Sequence, residues 1–375
     1  MPCRLTNDPT CTHMPNAVTD DVHVSSPTAE LPLVSVVVPC RNESAHIRSC
    51  LESLVTQTWP KEHLEVLVVD GISDDGTRAI IAGFTAAYPW IRLIDNTRRT
   101  TPTALNIGIC QSLGEIVCRM DAHCKYPNDY IAALLSKLHA SGADNVGGVC
   151  RTLPANQGPM ARTIAAALAH PFAVGNAHFR TGASAARWVD TVPFGCYRRS
   201  VFSRVGLFDE ELVRNQDDEF NHRLLKHGGR ILLVPSVVID YYGRSSIAKV
   251  ARMMFQYGYF KPLAARKLGR VSTVRQLVPP VFVAGMTTLL LLAPWWSVAS
   301  WLWLTGVGLY VAMLLVGAIR EARKGAVTVA VRLPSVIAVI HFCYGAGYLA
   351  GVWTHVVRRR SRGPRRDRPE LQLTR

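Results

Sequence analysis

The strongest constraint on this chain is a regular alternation of short apolar runs with helical stretches. Residues 33–39 read Leu-Val-Ser-Val-Val-Val-Pro, and residues 65–69, 91–94 and 115–120 form three further runs of the same kind. Each has the length of a strand and is apolar almost throughout, as expected of a strand buried on both faces of a parallel sheet. Residues 44–56, 76–88 and 103–113 carry helical patterns between them, the first with Ser44 in the N-cap position. This alternation predicts an α/β fold with a mostly parallel, Rossmann-like sheet. Ligands of such sheets bind beyond the carboxyl ends of the strands. Asp70 follows the second run and Asp121 the fourth, so two carboxylates are expected at that edge.

The character of the chain changes near residue 270. Residues 277–294, 295–319 and 333–357 are strongly apolar. The second and third are long enough to span a bilayer, and Trp295, Trp296, Trp301, Trp303 and Trp353 suit its interfaces. The first is broken by Pro279, Pro280 and Pro294. The net charge is +15, and Arg358, Arg359, Arg360, Arg362, Arg365, Arg366 and Arg368 directly follow the last apolar stretch. A basic run in that place points to an anionic membrane face, with no nucleic-acid partner expected.

The resulting division is a disordered tail rich in Pro, Thr, Ser and Asp at residues 1–31, a sheet domain at 32–270, a membrane domain at 271–357 with two to three apolar helices, and a basic tail at 358–375. With the sheet domain in the cytoplasm, three spans would put the arginine tail outside. Two spans would keep it inside, where positive charge is favoured. The basic loop from Arg320 to Lys324 also favours the inside if all three segments span. The ten cysteines contain no CxxC pair and no repeated spacing, which fits free thiols better than zinc or a disulfide framework. Gly345-Ala-Gly347-Tyr-Leu-Ala-Gly351 has the look of a dinucleotide loop, but no strand precedes it. Gly347 and Gly351 are better read as small residues for helix packing.

Three acidic clusters could do chemistry. Asp70, Asp74 and Asp75 lie in a turn-like segment. Asp121 and His123 are two residues apart at a strand end, so both could face one Mg2+ or Mn2+ ion together with two phosphates. Asp217, Asp218 and Glu219 open a helix, where the dipole alone would favour them. A carboxylate there could also deprotonate an acceptor hydroxyl.

Six blocks in order resemble family 2 glycosyltransferases: residues 36–43, 68–77, 104–108 with Asp121-Ala122-His123, 194–199, 206–210 and 215–220. The resemblance covers about residues 33–265 and is greatest to the succinoglycan-biosynthesis glucosyltransferase branch. It implies a GT-A nucleotide-sugar-binding domain and an inverting mechanism. Pro39, Arg41, Glu43, Asp70, Asn106 and Asp121 would bind the nucleotide sugar. Asp121 and His123 would stand at the family's Asp-x-Asp metal motif, with His a departure from the pattern. The family's base lies in a Glu-Asp pair that matches Gln216-Asp217 here, which makes Asp217 the base and Asp218 its rival. Arg198 and Arg199 would serve the acceptor or the diphosphate. The Gln-x-x-Arg-Trp motif of processive members is missing from Gln256-Tyr257-Gly258-Tyr259-Phe260.

The expected activity is therefore non-processive transfer of a hexose, with UDP-glucose as first candidate donor, to a polyprenyl-linked saccharide in extracellular or cell-envelope polysaccharide biosynthesis. The expected location is the inner membrane, multi-pass, with the catalytic domain in the cytoplasm and in contact with membrane lipids. The alternatives are transfer to a bare polyprenyl phosphate, processive synthesis and a catalytically inactive membrane scaffold.

Overall fold

The computed structural model describes residues 31–175 and 177–358; the tail up to residue 30 and the arginine run past Arg358 lie outside the described residues. The four early runs form β1 (Val34–Cys40), β2 (Leu64–Asp70), β3 (Ile91–Asp95) and β4 (Ile116–Arg119). Between them lie α1 (Ile47–Val55), α2 (Thr77–Ala87) and α3 (Thr101–Gln111). Helix α1 begins later than expected, and Ser44 does not cap it. The Ser44 N–H donates instead to Asp75 (3.1 Å), and the Glu43 N–H donates to Thr77 Oγ1 (2.8 Å). These bonds tie the loop after β1 to the loop after β2, so the first helical bond runs from Ile47 N–H to the Glu43 carbonyl (2.8 Å).

The later strands are β5 (Cys124–Lys125), β6 (Asn145–Leu153), β7 (Arg187–Trp188), β8 (Cys196–Arg198) and β9 (Ile231–Tyr242). Their helices are α4 (Tyr130–Ser141), α5 (Pro159–Ala169), α6 (Pro171–Val174), α7 (His178–Thr181), α8 (Ser200–Val205) and α9 (Gln216–Lys226). The sheet runs β3-β2-β1-β4-β8-β6-β9-β5, with β7 also on β9. It is parallel from β3 through β4. Beyond that it is mixed: β8 lies antiparallel between β4 and β6, and β6 pairs parallel with β9.

Burial on both faces explains why β1, β2 and β4 are apolar almost throughout, whereas β3, at the sheet edge, exposes Arg92. Val36 and Val38 point into a core with Leu51, Ile81 and Leu134, whereas Val37 points into one with Leu105, Phe208 and Phe220.

Helix α10 (Ile247–Leu268) then runs across the domain, followed by α11 (Val278–Leu292), α12 (Ser297–Arg323) and α13 (Val327–Val352). Three segments are long and apolar enough to cross a membrane: Val274–Leu292, Ser297–Arg323 and Val327–Val357. From Pro32 onward the described residues form one compact unit. Helices α10 and α13 meet backbone to backbone. A Cβ on Gly258 would lie 2.1 Å from the Tyr344 carbonyl oxygen, and one on Gly347 would lie 2.2 Å from that of Phe255. Small residues at both positions are what permits this contact.

Candidate active site

A cavity of about 460 Å³ opens beside the carboxyl ends of β1 and β4, and Pro39, Glu43, Asp121, His123, Asp217 and Asp218 all line it. Residues more than ninety positions apart therefore share one space. Strand β4 ends at Arg119, which places Asp121 in the turn beyond it. The Asp121 backbone is clamped by Tyr126, whose hydroxyl accepts from the Asp121 N–H (2.6 Å) and donates to its carbonyl (3.3 Å). His123 Nδ1 stands 3.5 Å from Glu43, and its ring meets Tyr241 edge-on at 5.1 Å.

Arg119 is the centre of the charge network. Its Nε and Nη2 donate to the two oxygens of Asp121 (2.8 and 3.0 Å), and its Nη1 lies 3.7 Å from Asp217. Burial disfavours the guanidinium charge, but the Asp121 and Asp217 carboxylates prevail and raise its pKa further.

Asp217 and Asp218 have different surroundings. Asp217 keeps 39% of its side chain exposed and accepts from the Asp218 N–H (2.9 Å). Asp218 keeps only 13% of its side chain exposed, with Lys261 of α10 at 2.8 Å and His222 at 3.8 Å. Burial alone would raise the Asp218 pKa; Lys261 and His222 outweigh it and hold the carboxyl below its ordinary value. Phe194 and Asn215, both on the cavity wall, hold positive φ (48° and 63°) without being glycine. Strained backbone of this kind is commonly concentrated at functional loops.

The remaining sequence candidates sit elsewhere. Asp70 is fully buried at the end of β2, where Ser73 N–H (2.9 Å), Ser73 Oγ and Arg78 Nη1 (2.9 Å) donate to it. The Arg41 side chain lies over Gly71, outside the cavity lining. Asn106 is buried in α3 and joins that helix to Phe208 and Glu210. Arg198 and Arg199 do not reach the cavity. Arg198 donates to the carbonyls of Leu138 and Ala143, and Arg199 donates to that of Gly114 and to Ser112 Oγ. Arg198 thereby holds the segment leading into β6, and Arg199 the segment leading into β4.

The cavity is also lined by Arg119, Arg180, Arg214, Arg244, Lys261 and Arg275, cations that the sequence did not single out; Arg119 and Lys261 are the two that pair with its aspartates. The spacing of Arg119 from Asp121 was a usable signal, since alternate residues along a strand share a face. Nothing local points from Lys261 to Asp218.

With this geometry in place, the comparisons define the class. The model of the family "Glycosyl transferase family 2" matches residues 35–206. The succinoglycan biosynthesis protein ExoA of Rhizobium meliloti (strain 1021) is 31% identical over 285 residues, covering 75% of this chain and 83% of the relative. The chain therefore belongs to glycosyl transferase family 2: it is a glycosyltransferase of GT-A fold with apolar helices at its C-terminal end. A second relative, the dolichyl N-acetyl-alpha-D-glucosaminyl phosphate 3-beta-D-2,3-diacetamido-2,3-dideoxy-beta-D-glucuronosyltransferase of Methanococcus voltae, is 26% identical over 330 residues, covering 85% of this chain and 97% of the relative. Among structures, the mannosyltransferase PcManGT from Pyrobaculum calidifontis, in complex with GDP-Man and Mn2+, superposes with a TM-score of 0.53 at 23% identity. It covers 86% of this chain and 87% of that one, and it supports the fold.

Proposed function

We propose that this enzyme adds a single hexose, with inversion, from a nucleotide diphosphate sugar to a polyprenyl-linked saccharide during cell-envelope or extracellular polysaccharide biosynthesis. UDP-glucose is the first donor to test. The observation that carries this reading is the extent of the cavity. It runs from Asp121 and Asp217 to Pro279 of α11 and to Ile340 and Tyr344 of α13, so a lipid-borne acceptor can reach the carboxylates from the membrane helices. The names of the two relatives, one for succinoglycan biosynthesis and one for a dolichyl sugar phosphate, agree with that acceptor class. A cytoplasmic catalytic domain at the inner membrane follows from the donor, since nucleotide sugars are made in the cytoplasm.

Asp121 and His123 would hold a Mg2+ or Mn2+ ion. A carboxylate has about four lone-pair sites, so Asp121 retains acceptor capacity after binding Arg119. Arg119 then orients the ligand from behind, as outer-shell partners of metal ligands do. Among the described residues no group of three His, Cys, Asp or Glu side chains gathers into a metal site. Two protein ligands plus diphosphate oxygens and water form a set that suits Mg2+ or Mn2+. When bound, the ion offsets the charge that grows on the departing diphosphate.

Asp217 is the general base in this reading. Its carboxylate faces the cavity and is partly open, so an acceptor hydroxyl can hydrogen-bond to it and pass it a proton. Asp218, engaged by Lys261, secures α10 to the site.

The test is an assay of the membrane fraction against a panel of nucleotide sugars, with mass analysis of the lipid product. A gain of one hexose on a lipid-linked saccharide is expected. A polymer, or a lipid carrying one sugar on a monophosphate, would overturn the acceptor assignment.

A further inference from the structure

The contacts of α10 and α13 decide how the C-terminal helices meet the bilayer. Helix α10 belongs to the catalytic domain along its whole length. At its start, Val250 and Met253 pack on Ile164 and Leu168 of α5. In its middle, the Tyr257 carbonyl accepts from Asn215 (2.9 Å) and Lys261 pairs with Asp218. At its end, Lys267 pairs with Asp209 and Glu211 (2.6 and 2.5 Å).

Helix α13 follows α10 side by side. Leu333, Val336 and Ile337 join the same apolar cluster as Val250 and Leu168. Farther along, Gly347 lies on Phe255 and Gly351 on Tyr259. At the end, the His355 carbonyl accepts from Arg266 (2.7 Å). Between Val336 and His355 a helix advances about 28 Å. Along that length α13 keeps to the side of α10, and it meets α11 and α12 around Phe342 and Gly345, near Phe282, Val283 and Tyr310. A helix perpendicular to the bilayer would have to leave the side of α10. Helix α13 also carries the partly exposed Arg332 in its second turn, a residue that is costly in hydrocarbon and favours the bilayer surface.

Helices α11 and α12 behave differently. From Gln276 to Ile319 the chain has no Asp, Glu, Lys or Arg. Both ends of this hairpin return to the catalytic domain. Arg275 pairs with Asp190 (3.2 Å), and the Arg320 guanidinium lies 5.6 Å from the ring centroid of Phe172 on α6. The turn between the helices is Ala293-Pro294-Trp295-Trp296, uncharged and with Trp295 84% exposed. The cations nearest the hairpin are Arg270 and Arg275 before it and Arg320, Arg323 and Lys324 after it, the last three beside His170 and Phe172 of the catalytic domain, and none lies at the turn. That asymmetry matches the preference of basic residues for one membrane face.

We propose that the α11–α12 hairpin is the element that enters the hydrocarbon, and that α13 lies along the bilayer surface beneath the catalytic domain. The chain then reaches Arg358 on the side that bears the active site. The exposed apolar side chains Val331 and Leu349 of α13, and Trp353 just past its end, face the lipid, as in interfacial helices. This proposal rests on membrane association and is independent of which sugar is transferred, so failure of the donor or acceptor assignment would leave it intact.

Impermeant maleimide labelling of the full-length chain in sealed vesicles of both orientations tests it. Cys110, exposed on α3, marks the catalytic side once Cys3 and Cys11 are replaced by Ser. In chains that also carry Cys110→Ser, Arg358→Cys should label in the same vesicle orientation as Cys110, and Ser297→Cys should not. Labelling of Arg358→Cys from the opposite side would show that α13 crosses. Labelling of Ser297→Cys together with Cys110 would show that the hairpin stays outside the bilayer. Protease removal of an epitope tag placed after Arg375 gives a second measure, and protection of the tag in vesicles that expose Cys110 would also overturn the proposal.

Discussion

Arg119 grips both carboxylate oxygens of Asp121 and stands 3.7 Å from Asp217, so one buried guanidinium links the expected metal ligand to the expected base. A lysine there keeps the charge but cannot bind two oxygens in a planar fork. Arg119→Lys should weaken metal-dependent nucleotide binding on the order of tenfold, the lower end for loss of an outer-shell partner. Calorimetric titration of nucleotide at several Mn2+ concentrations measures this, and an unchanged metal response would remove Arg119 from the site.

Asp217→Asn keeps the shape of the side chain and removes its basicity. Turnover should fall on the order of 10²–10⁴-fold with little change in donor affinity. Pairing single-turnover rates with nucleotide binding checks both halves. Full turnover in the variant would move the base to another residue.

Asp218 and Lys261 are expected to matter for folding more than for chemistry. Lys261→Met leaves a largely covered carboxylate without its closest cation, which should cost roughly 3 kcal/mol of stability. Because the folded Asp218 has a lowered pKa, its contribution is present above the unfolded carboxylate value and is lost as pH falls through the folded one. In the variant the acid-unfolding midpoint should therefore move to higher pH. Denaturant unfolding at a series of pH values from about 7 to about 3 resolves the shift, and an unmoved midpoint would contradict it.

Gly347→Val places a side chain where a Cβ alone would come within 2.2 Å of the Phe255 carbonyl oxygen. Separating α13 from α10 should cost about 1–3 kcal/mol, read as a lower unfolding temperature in detergent. Gly285→Val in α11, where a Cβ meets nothing within 4 Å, is the control and should change little.

Local chemistry made much of this protein readable in advance. The runs that became β1, β2 and β4 needed only their near-continuous apolarity, because strands covered on both faces cannot alternate, while β3 at the sheet edge carries the exposed Arg92. Asp121 and His123 could be placed at the ligand edge because strand ends in such sheets face the site. Arg198 and Arg199 show the limit: a pair of arginines reads the same whether it meets a phosphate or ties down backbone carbonyls. Ser44 shows it at shorter range, since its capping role was displaced by Asp75 from the next loop.

Periodicity and composition, which are properties of neighbouring residues, were enough to specify a sheet domain with carboxylates at its strand ends and an apolar C-terminal region. Only the tertiary structure separated Asp217 from Asp218, through Lys261 on α10, and only it set α13 beside α10. Those outcomes depend on side chains and backbones that approach across long stretches of chain, and a run of apolar residues carries no record of which surface will cover it.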